Sequence, residues 1–367
     1  MIFVNFIENV LHFISNFIKT TEFLILVIII IILYHLGAFY LRDKRFLKAL
    51  NNHIDSKKII LEDLNNFPLV NIIIPAWKEN KKLDDCLSSI LEINYPNLKV
   101  IVNAGGNDET VRIANSFKRF ENFILLEQKP GGKMKAINEC LDHVSKGIVY
   151  SIDADVILTN EIFIRMIHPI INQNENVTAG GIRPYLNQEK EDLVKYILIK
   201  RYPYFKQKFS RYSLKQISGP NTCIKYHVIK TINRFHDDDS QIAADRFRGY
   251  LLTSKGFKLY RISDFRASIY TYFPVKVKSY FKQETRWLIN TLTNKFYKKR
   301  IQKLFKFSIL VLVSLFLIIS PFFFIFNYLL LLLWLFIFLN FYLKRIRKYK
   351  FFRKNLTKNE IVFSKFK

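Results

Sequence analysis

Gly147-Ile-Val-Tyr-Ser-Ile-Asp153-Ala154-Asp155 is a short apolar run that stops at two carboxylates one residue apart. The run reads as a buried strand. In an open α/β sheet, ligands bind beyond the carboxyl ends of the strands. Two acids there suit a divalent cation through oxygen ligands, and that cation in turn suits a diphosphate. The stretch points to a nucleotide-linked substrate, with a plain turn or solvated loop as the bland alternative. The segments around it decide between the two.

Upstream, strand and helix patterns alternate. Val70–Ile74, Lys99–Val102, Phe123–Leu126 and Ile148–Ile152 read as strands, and Lys82–Leu91, Thr110–Arg119 and Lys133–Val144 as helices. This order predicts an α/β fold with a doubly wound parallel sheet. Each strand end carries polar chemistry: Pro75-Ala-Trp77-Lys-Glu79-Asn80, then Asn103-Ala-Gly105-Gly106-Asn107-Asp108, then Lys129-Pro-Gly131-Gly132-Lys133, then Asp153-Ala-Asp155. The glycines let backbone approach a ligand, and the helix N-termini that follow favour phosphate. Four such ends on one sheet edge favour a nucleotide site over four unrelated turns.

The net charge is +27, from 57 Lys and Arg against 30 Asp and Glu. That balance favours a polyanionic partner: anionic lipid or a phosphorylated substrate. Nucleic acid is not expected, since no zinc-finger spacing or RNP-like segment occurs. Three scattered cysteines, Cys86, Cys140 and Cys223, read as buried thiols rather than a disulfide or metal framework.

Apolar stretches flank the α/β region. Residues 1–20 place Asn5, Glu8, Asn9, His12, Ser15, Asn16 and Lys19 on one helical face, as in an interfacial amphipathic helix. Residues 23–41 read as a transmembrane helix, and 307–326 and 328–343 as two more, divided near Pro321 and Asn327. Basic clusters at Arg42, Lys44 and Arg45, at Lys299, Arg300 and Lys303, and at Lys344, Arg345, Arg347 and Lys348 fall on one side of three such spans. By the positive-inside rule that side is cytoplasmic. The expected layout is a cytoplasmic domain over 50–300 and a basic cytoplasmic tail over 344–367, in an integral protein of the cell membrane.

Taken in order, these segments resemble the motifs of membrane-bound family-2 glycosyltransferases with the GT-A fold. Pro75-Ala-Trp-Lys-Glu79 is similar to the family's Pro-x-Tyr-Asn-Glu opening, and Gly105-Gly-Asn-Asp108 to its Asp-Asp-Gly-Ser-x-Asp segment. Gly131-Gly-Lys-Met-Lys-Ala-Ile-Asn138 resembles Gly-Gly-Lys-x-x-Ala-Leu-Asn, and Asp153-Ala-Asp155 the family's Asp-x-Asp. Gln283-Glu-Thr-Arg286-Trp287 resembles the Gln-x-x-Arg-Trp of cellulose, chitin and hyaluronan synthases and ceramide glucosyltransferases. The resemblance covers about residues 68–300.

It implies a nucleotide-diphosphate sugar as donor, UDP-sugars first, with Mg²⁺ or Mn²⁺ held by Asp155 and Asp153. Pro75, Trp77, Glu79, Asn103, Asp108, Lys133 and Asp153 are the implied donor-binding residues. Asp245, Arg286 and Gln283 are the implied catalytic ones, with Trp287 as an acceptor platform. Asp245 is the implied general base, because the family carries Glu-Asp about a dozen residues before a Gly-aromatic strand, here Gly256-Phe-Lys-Leu-Tyr260. Asp239 stands next in line, and His236-Asp237-Asp238-Asp239 is a second, less favoured metal cluster. Two departures stand out: Ala244 where the family has Glu, and Asn103-Ala104 where it has an Asp pair near the nucleotide base. Trp77 replaces a Tyr and keeps an aromatic surface.

Three spans do not readily enclose a polymer channel. That favours a lipid-borne or glycan acceptor at the membrane surface over a processive synthase, which would need an oligomer. The basic and aromatic segment Lys276–Trp287 suits the inner leaflet. An inactive scaffold of the same fold is the remaining alternative.

Overall fold

The computed structural model describes residues 21–38, 59–184, 217, 219–232, 244–262, 265–272, 274, 276–293 and 300–319, with isolated positions near the termini. The chain falls into two compact units, Ser56–Arg300 and a second that combines Met1–Asp55 with Ile301–Lys367.

In the first unit, β1 (Val70–Trp77) is buried at almost every position, as a strand covered on both faces must be. It pairs in parallel with β2 (Leu98–Gly105) on one side and with β4 (Ile148–Ser151) on the other. β3 (Phe123–Glu127) extends the parallel half beyond β2. Side chains alternate across β1. Ile72 and Ile74 enter one core with α2 (Lys81–Leu91), α3 (Asp108–Ser116) and α5 (Asn160–Asn172). Ile73 enters the other with α4 (Gly132–Leu141), α6 (Tyr226–Thr231) and α7 (Ala244–Ser254). α2 and α3 begin at Asn80 and Asn107, whose side chains accept from the backbone N–H of Lys82 and Thr110, the N-cap arrangement that such residues favour.

The sheet is mixed, not wholly parallel. Its order is β3-β2-β1-β4-β8-β6-β9. β8 (Thr222–Lys225) runs antiparallel to β4 and to β6 (Val177–Ala179), while β9 (Tyr260–Arg261) lies parallel to β6. The alternating periodicity extends only to β4. The later strands are two to four residues long, too short for a period to register in sequence. A second, three-stranded sheet joins β5 (Val156–Ile157), β10 (Ile269–Thr271) and β7 (Ile182–Pro184). The strand expected over 256–260 begins only at Tyr260. Gly256, at φ 82°, ends α7 instead, as a left-handed glycine after a helix does. All three cysteines are free and buried, as expected.

In the second unit, α1 spans Thr21–Ala38, and a helix over Arg300–Ile319 follows α8 (Val277–Thr293) in the chain. No helix among the described residues is long and apolar enough to cross a membrane. α1 has 18 residues, a rise of about 27 Å against a hydrocarbon core of about 30 Å. The expected span at 307–326 continues past the described helix, and most of 328–343 lies outside the described residues, as does most of the expected amphipathic helix over 1–20.

Packing at the sheet's edge leaves little room. A Cβ on Gly105 would lie 2.2 Å from the Gln128 carbonyl oxygen, and that backbone is fixed by the bond from Gln128 N–H to the Ala104 carbonyl. Gly105→Ala is expected to destabilise the unit by about 1–3 kcal/mol, read as a fall in thermal midpoint.

Candidate active site

The strand order sets β2, β1 and β4 side by side, so their carboxyl ends form one edge. Glu79 follows β1, Gly105 closes β2, and Asp153 and Asp155 follow β4. The carboxylates act on one another. Burial first, then the nearby Asp155, raise the Glu79 carboxyl above its usual range, and Asp153 adds to this. Burial and then Asp153 raise Asp155 in the same way, partly offset by the Lys82 and Lys133 ammonium groups. Burial and mutual repulsion thus both disfavour the charged carboxylates here, a condition that a bound cation relieves. Cys86 lies beneath the loop, its thiol facing the Asp153 carbonyl at 3.7 Å. Burial pushes that thiol well up, leaving it a neutral packing group.

Lys133 sits in the first turn of α4, after Gly131 and Gly132 at φ 154° and 87°. Its ammonium donates to Asp153 Oδ1. Burial alone would lower the Lys133 pKa, but the Asp153 and Asp245 carboxylates outweigh it and hold the group above its ordinary value. Lys133 therefore feels both the Asp-x-Asp loop and the expected base. Asp245 lies in the first turn of α7, and its carboxylate packs on Gly219. A Cβ there would lie 2.3 Å from both carboxylate oxygens.

The structure thus brings together Glu79, Lys133, Asp153, Asp155 and Asp245. Trp77 is the exposed last residue of β1, and its indole covers Gly106, where a Cβ would meet the ring at 2.8 Å. Pro75 stands two residues before it, in register with Asn103. Asp108 is exposed at the start of α3. Asn103 departs from expectation. It is fully buried, and its amide donates to the Ala136 carbonyl at 3.3 Å and to Glu139 Oε2 at 2.6 Å, both on α4. Only Oδ1, which has no hydrogen-bond partner among the described residues, is left for a nucleotide base. Gln283, Arg286 and Trp287 share α8 at helical spacing, with Arg286 and Trp287 exposed and Gln283 half-buried. Residues 233–243, which include His236 and Asp239, lie outside the described residues.

Two residues escaped the sequence reading. Lys82, in the first turn of α2, lowers the pKa of both Glu79 and Asp155 and places its ammonium 5.3 Å from the Tyr272 ring centroid. Arg248 is fully buried beside Asp245. Its spacing three residues after Asp245 on a helix was the available signal; its burial had none.

Among the described residues no group of three or more His, Cys, Asp or Glu is placed to hold a metal on its own. The acid pair suits an ion that completes its shell from phosphate and water, as Mg²⁺ commonly does.

Residues 68–290, more than half of the chain, match the family described as "Glycosyltransferase like family 2". The chain belongs to this glycosyltransferase family. It is similar to the poly-beta-1,6-N-acetyl-D-glucosamine synthase of Staphylococcus epidermidis, 25% identical over 125 residues, which cover 34% of this chain and 28% of that protein. It is similar also to the probable glycosyltransferase YdaM of Bacillus subtilis, 24% identical over 240 residues, 62% of this chain and 56% of that protein. The matched part thus spans little more than half of the longer of these alignments' relatives, and less of the other. Among solved structures, the fold is similar to the mannosyltransferase PcManGT of Pyrobaculum calidifontis in complex with GDP-Man and Mn²⁺, with a TM-score of 0.50, 19% identity and coverage of 73% of this chain and 74% of that one. The mixed central sheet and its helices form the GT-A-like fold of family-2 glycosyltransferases.

Space around Asp245 yields a prediction. Gly219→Ala is expected to displace the carboxylate by about 1 Å, a shift that can cost about 10²-fold in turnover. Donor affinity should stay unchanged, as measured by steady-state kinetics beside a nucleotide-binding titration.

Proposed function

We propose that the chain is an inverting glycosyltransferase that moves a sugar from a nucleotide-diphosphate donor, UDP-sugars first, to a lipid or glycan acceptor at the cytoplasmic face of the cell membrane. The observation that carries the reading is the convergence of Glu79, Asp153 and Asp155 with Lys133 and Asp245.

Asp155 and Asp153 would hold Mg²⁺ or Mn²⁺, which supplies Lewis-acid stabilisation to the leaving diphosphate when bound. The burial of Asp155 and the repulsion from Asp153 fit that ion. Lys133 adds fixed positive charge where the leaving group's negative charge develops, and Arg286 is proposed to do the same. Asp245 takes the proton of the acceptor hydroxyl as general base while that oxygen attacks the anomeric carbon. The sugar–phosphate bond breaks on the opposite face, so the configuration inverts. Trp287 offers a flat apolar surface for an acceptor ring, with Gln283 beside it on the same helix.

The membrane reading draws support from exposed apolar side chains on two of the described helices, α1 and the helix over Arg300–Ile319. Leu33 is 61% exposed on α1, and Leu312 is 64% exposed on the helix over Arg300–Ile319. Apolar surface of this extent on helices calls for an apolar environment. The name of the S. epidermidis relative favours a second reading, polymer synthesis, for which we propose an oligomer, and it puts UDP-N-acetylglucosamine first among the donors to try.

Full-length protein in detergent, supplied with membrane lipids and a panel of labelled sugar nucleotides, tests both readings. Single additions to lipid support the first reading, and long products the second. No turnover with any donor would sink both.

A further inference from the structure

We propose that Arg248 is the positioning residue of the active site, holding the Asp245 carboxylate at a set distance from the Asp-x-Asp loop. The inference rests on the reading of Asp245 as the general base. Arg248 is the largest fully buried side chain among the described residues. A charge is seldom buried without partners and a reason. Its guanidinium reaches three separate parts of the chain. One nitrogen, Nη1, donates to Ser151 Oγ at 3.2 Å. The other, Nη2, donates to the Gly219 carbonyl at 3.4 Å and lies 3.8 Å from Asp245 Oδ1.

Each contact has a place in the geometry. Ser151 is the last residue of β4, two before Asp153. Gly219 is the residue on whose backbone the Asp245 carboxylate packs. The loop after it is anchored by Asn221, which donates to the Gly181 and Ala267 carbonyls at 2.9 and 2.8 Å and accepts from the Tyr150 hydroxyl at 2.8 Å. Arg248 thus ties the end of β4, the 219–221 loop and the first turn of α7 into one frame.

The charges support the same assignment. Lys133 donates to Asp153 and is held by the Asp245 field as well. The Asp245 and Asp153 carboxylates both offset the cost of burying the Arg248 guanidinium. Two cations and two carboxylates therefore interlock, with Arg248 on the buried side. Its planar fork reaches two acceptors at once, which a lysine ammonium on a flexible stem cannot reproduce in the same geometry.

The test uses full-length protein and the labelled sugar nucleotide that gives wild-type turnover in the panel. Variants are Arg248→Lys, Arg248→Met, Ser151→Ala, Asp245→Asn and the double variant Asp245→Asn with Arg248→Lys. Arg248→Lys is expected to lower kcat by about 10–10²-fold, with the donor KM unchanged. In the Asp245→Asn background the same change should cost nothing further, because the group it positions is already gone. A plain structural staple would instead lower residual turnover equally in both backgrounds, and that additivity would overturn the proposal. Arg248→Met separates charge from packing where it folds. Ser151→Ala removes a single bond and should give a smaller loss with the same dependence on Asp245. Wild-type turnover in Arg248→Lys beside an inactive Asp245→Asn overturns the positioning role alone. Wild-type turnover in Asp245→Asn overturns the base assignment and this inference with it.

Discussion

Asp245→Asn is expected to lower sugar transfer by about 10²–10⁴-fold, the contribution of a positioned general base, while donor binding stays unchanged. Asn is close in size and shape, so the packing on Gly219 survives and only the proton acceptor is lost. Asp245 lies in the first turn of α7, against Gly219 and within the electrostatic reach of Lys133. The carboxylate is about two-fifths exposed, so an acceptor hydroxyl has access to it. Single-turnover measurements with preloaded donor check the prediction, because they separate chemistry from donor binding. A variant that transfers sugar at the wild-type rate would remove Asp245 from the mechanism and shift attention to the acidic segment that precedes it.

Asp155→Ala is expected to abolish cation-dependent donor binding and, with it, nearly all turnover. Stabilisation of a leaving diphosphate by a metal amounts to several kcal/mol, or roughly 10³-fold or more in rate. The effect should exceed that of removing a single cation such as Lys82. Burial and Asp153 raise the Asp155 carboxyl above its usual range, so a cation that binds here also releases electrostatic repulsion between the acids. Calorimetric titration with UDP in the presence and absence of Mn²⁺ checks this. The wild type should show a large gain in affinity from Mn²⁺, and Asp155→Ala should show none.

The first half of the fold was legible because its strands are buried on both faces and its helices are amphipathic. Val70–Ile74 and Lys99–Val102 read as short, mostly apolar runs, each followed by a helical pattern, over 82–91 and 110–119. The antiparallel half was not legible. β6, β8 and β9 are short, and their place in the sheet depends on long-range pairing such as Tyr150 with Cys223. The sequence pattern therefore predicts a wholly parallel sheet, and the sheet is mixed.

The site was legible where a motif coincides with a strand end. Asp153, Asp155, Lys133 and Glu79 sit where the apolar runs stop, and the topology draws those ends together. Asn103 shows the limit. It stands at the end of β2, where the family has an Asp near the nucleotide base, but its amide is spent on the Ala136 carbonyl and the Glu139 carboxylate. Which way a buried amide turns depends on the helix packed over it, and no local pattern records that. Arg248 shows the same limit from the other side. An arginine on a helix normally reads as a solvated charge, and only tertiary packing turns it inward beside Asp245.

The central claim is that the carboxylate cluster anchors a metal-bound nucleotide sugar and that Asp245 activates the acceptor. The most direct measurement follows label from a panel of sugar nucleotides into membrane lipid and polymer, with wild type, Asp155→Ala and Asp245→Asn side by side and with Mn²⁺ present or chelated. The account predicts label transfer by the wild type from one donor, dependent on Mn²⁺ or Mg²⁺, and loss of transfer in both variants. Donor binding should persist in Asp245→Asn alone. Transfer that survives in Asp155→Ala, or donor binding that Mn²⁺ does not strengthen in the wild type, would contradict it.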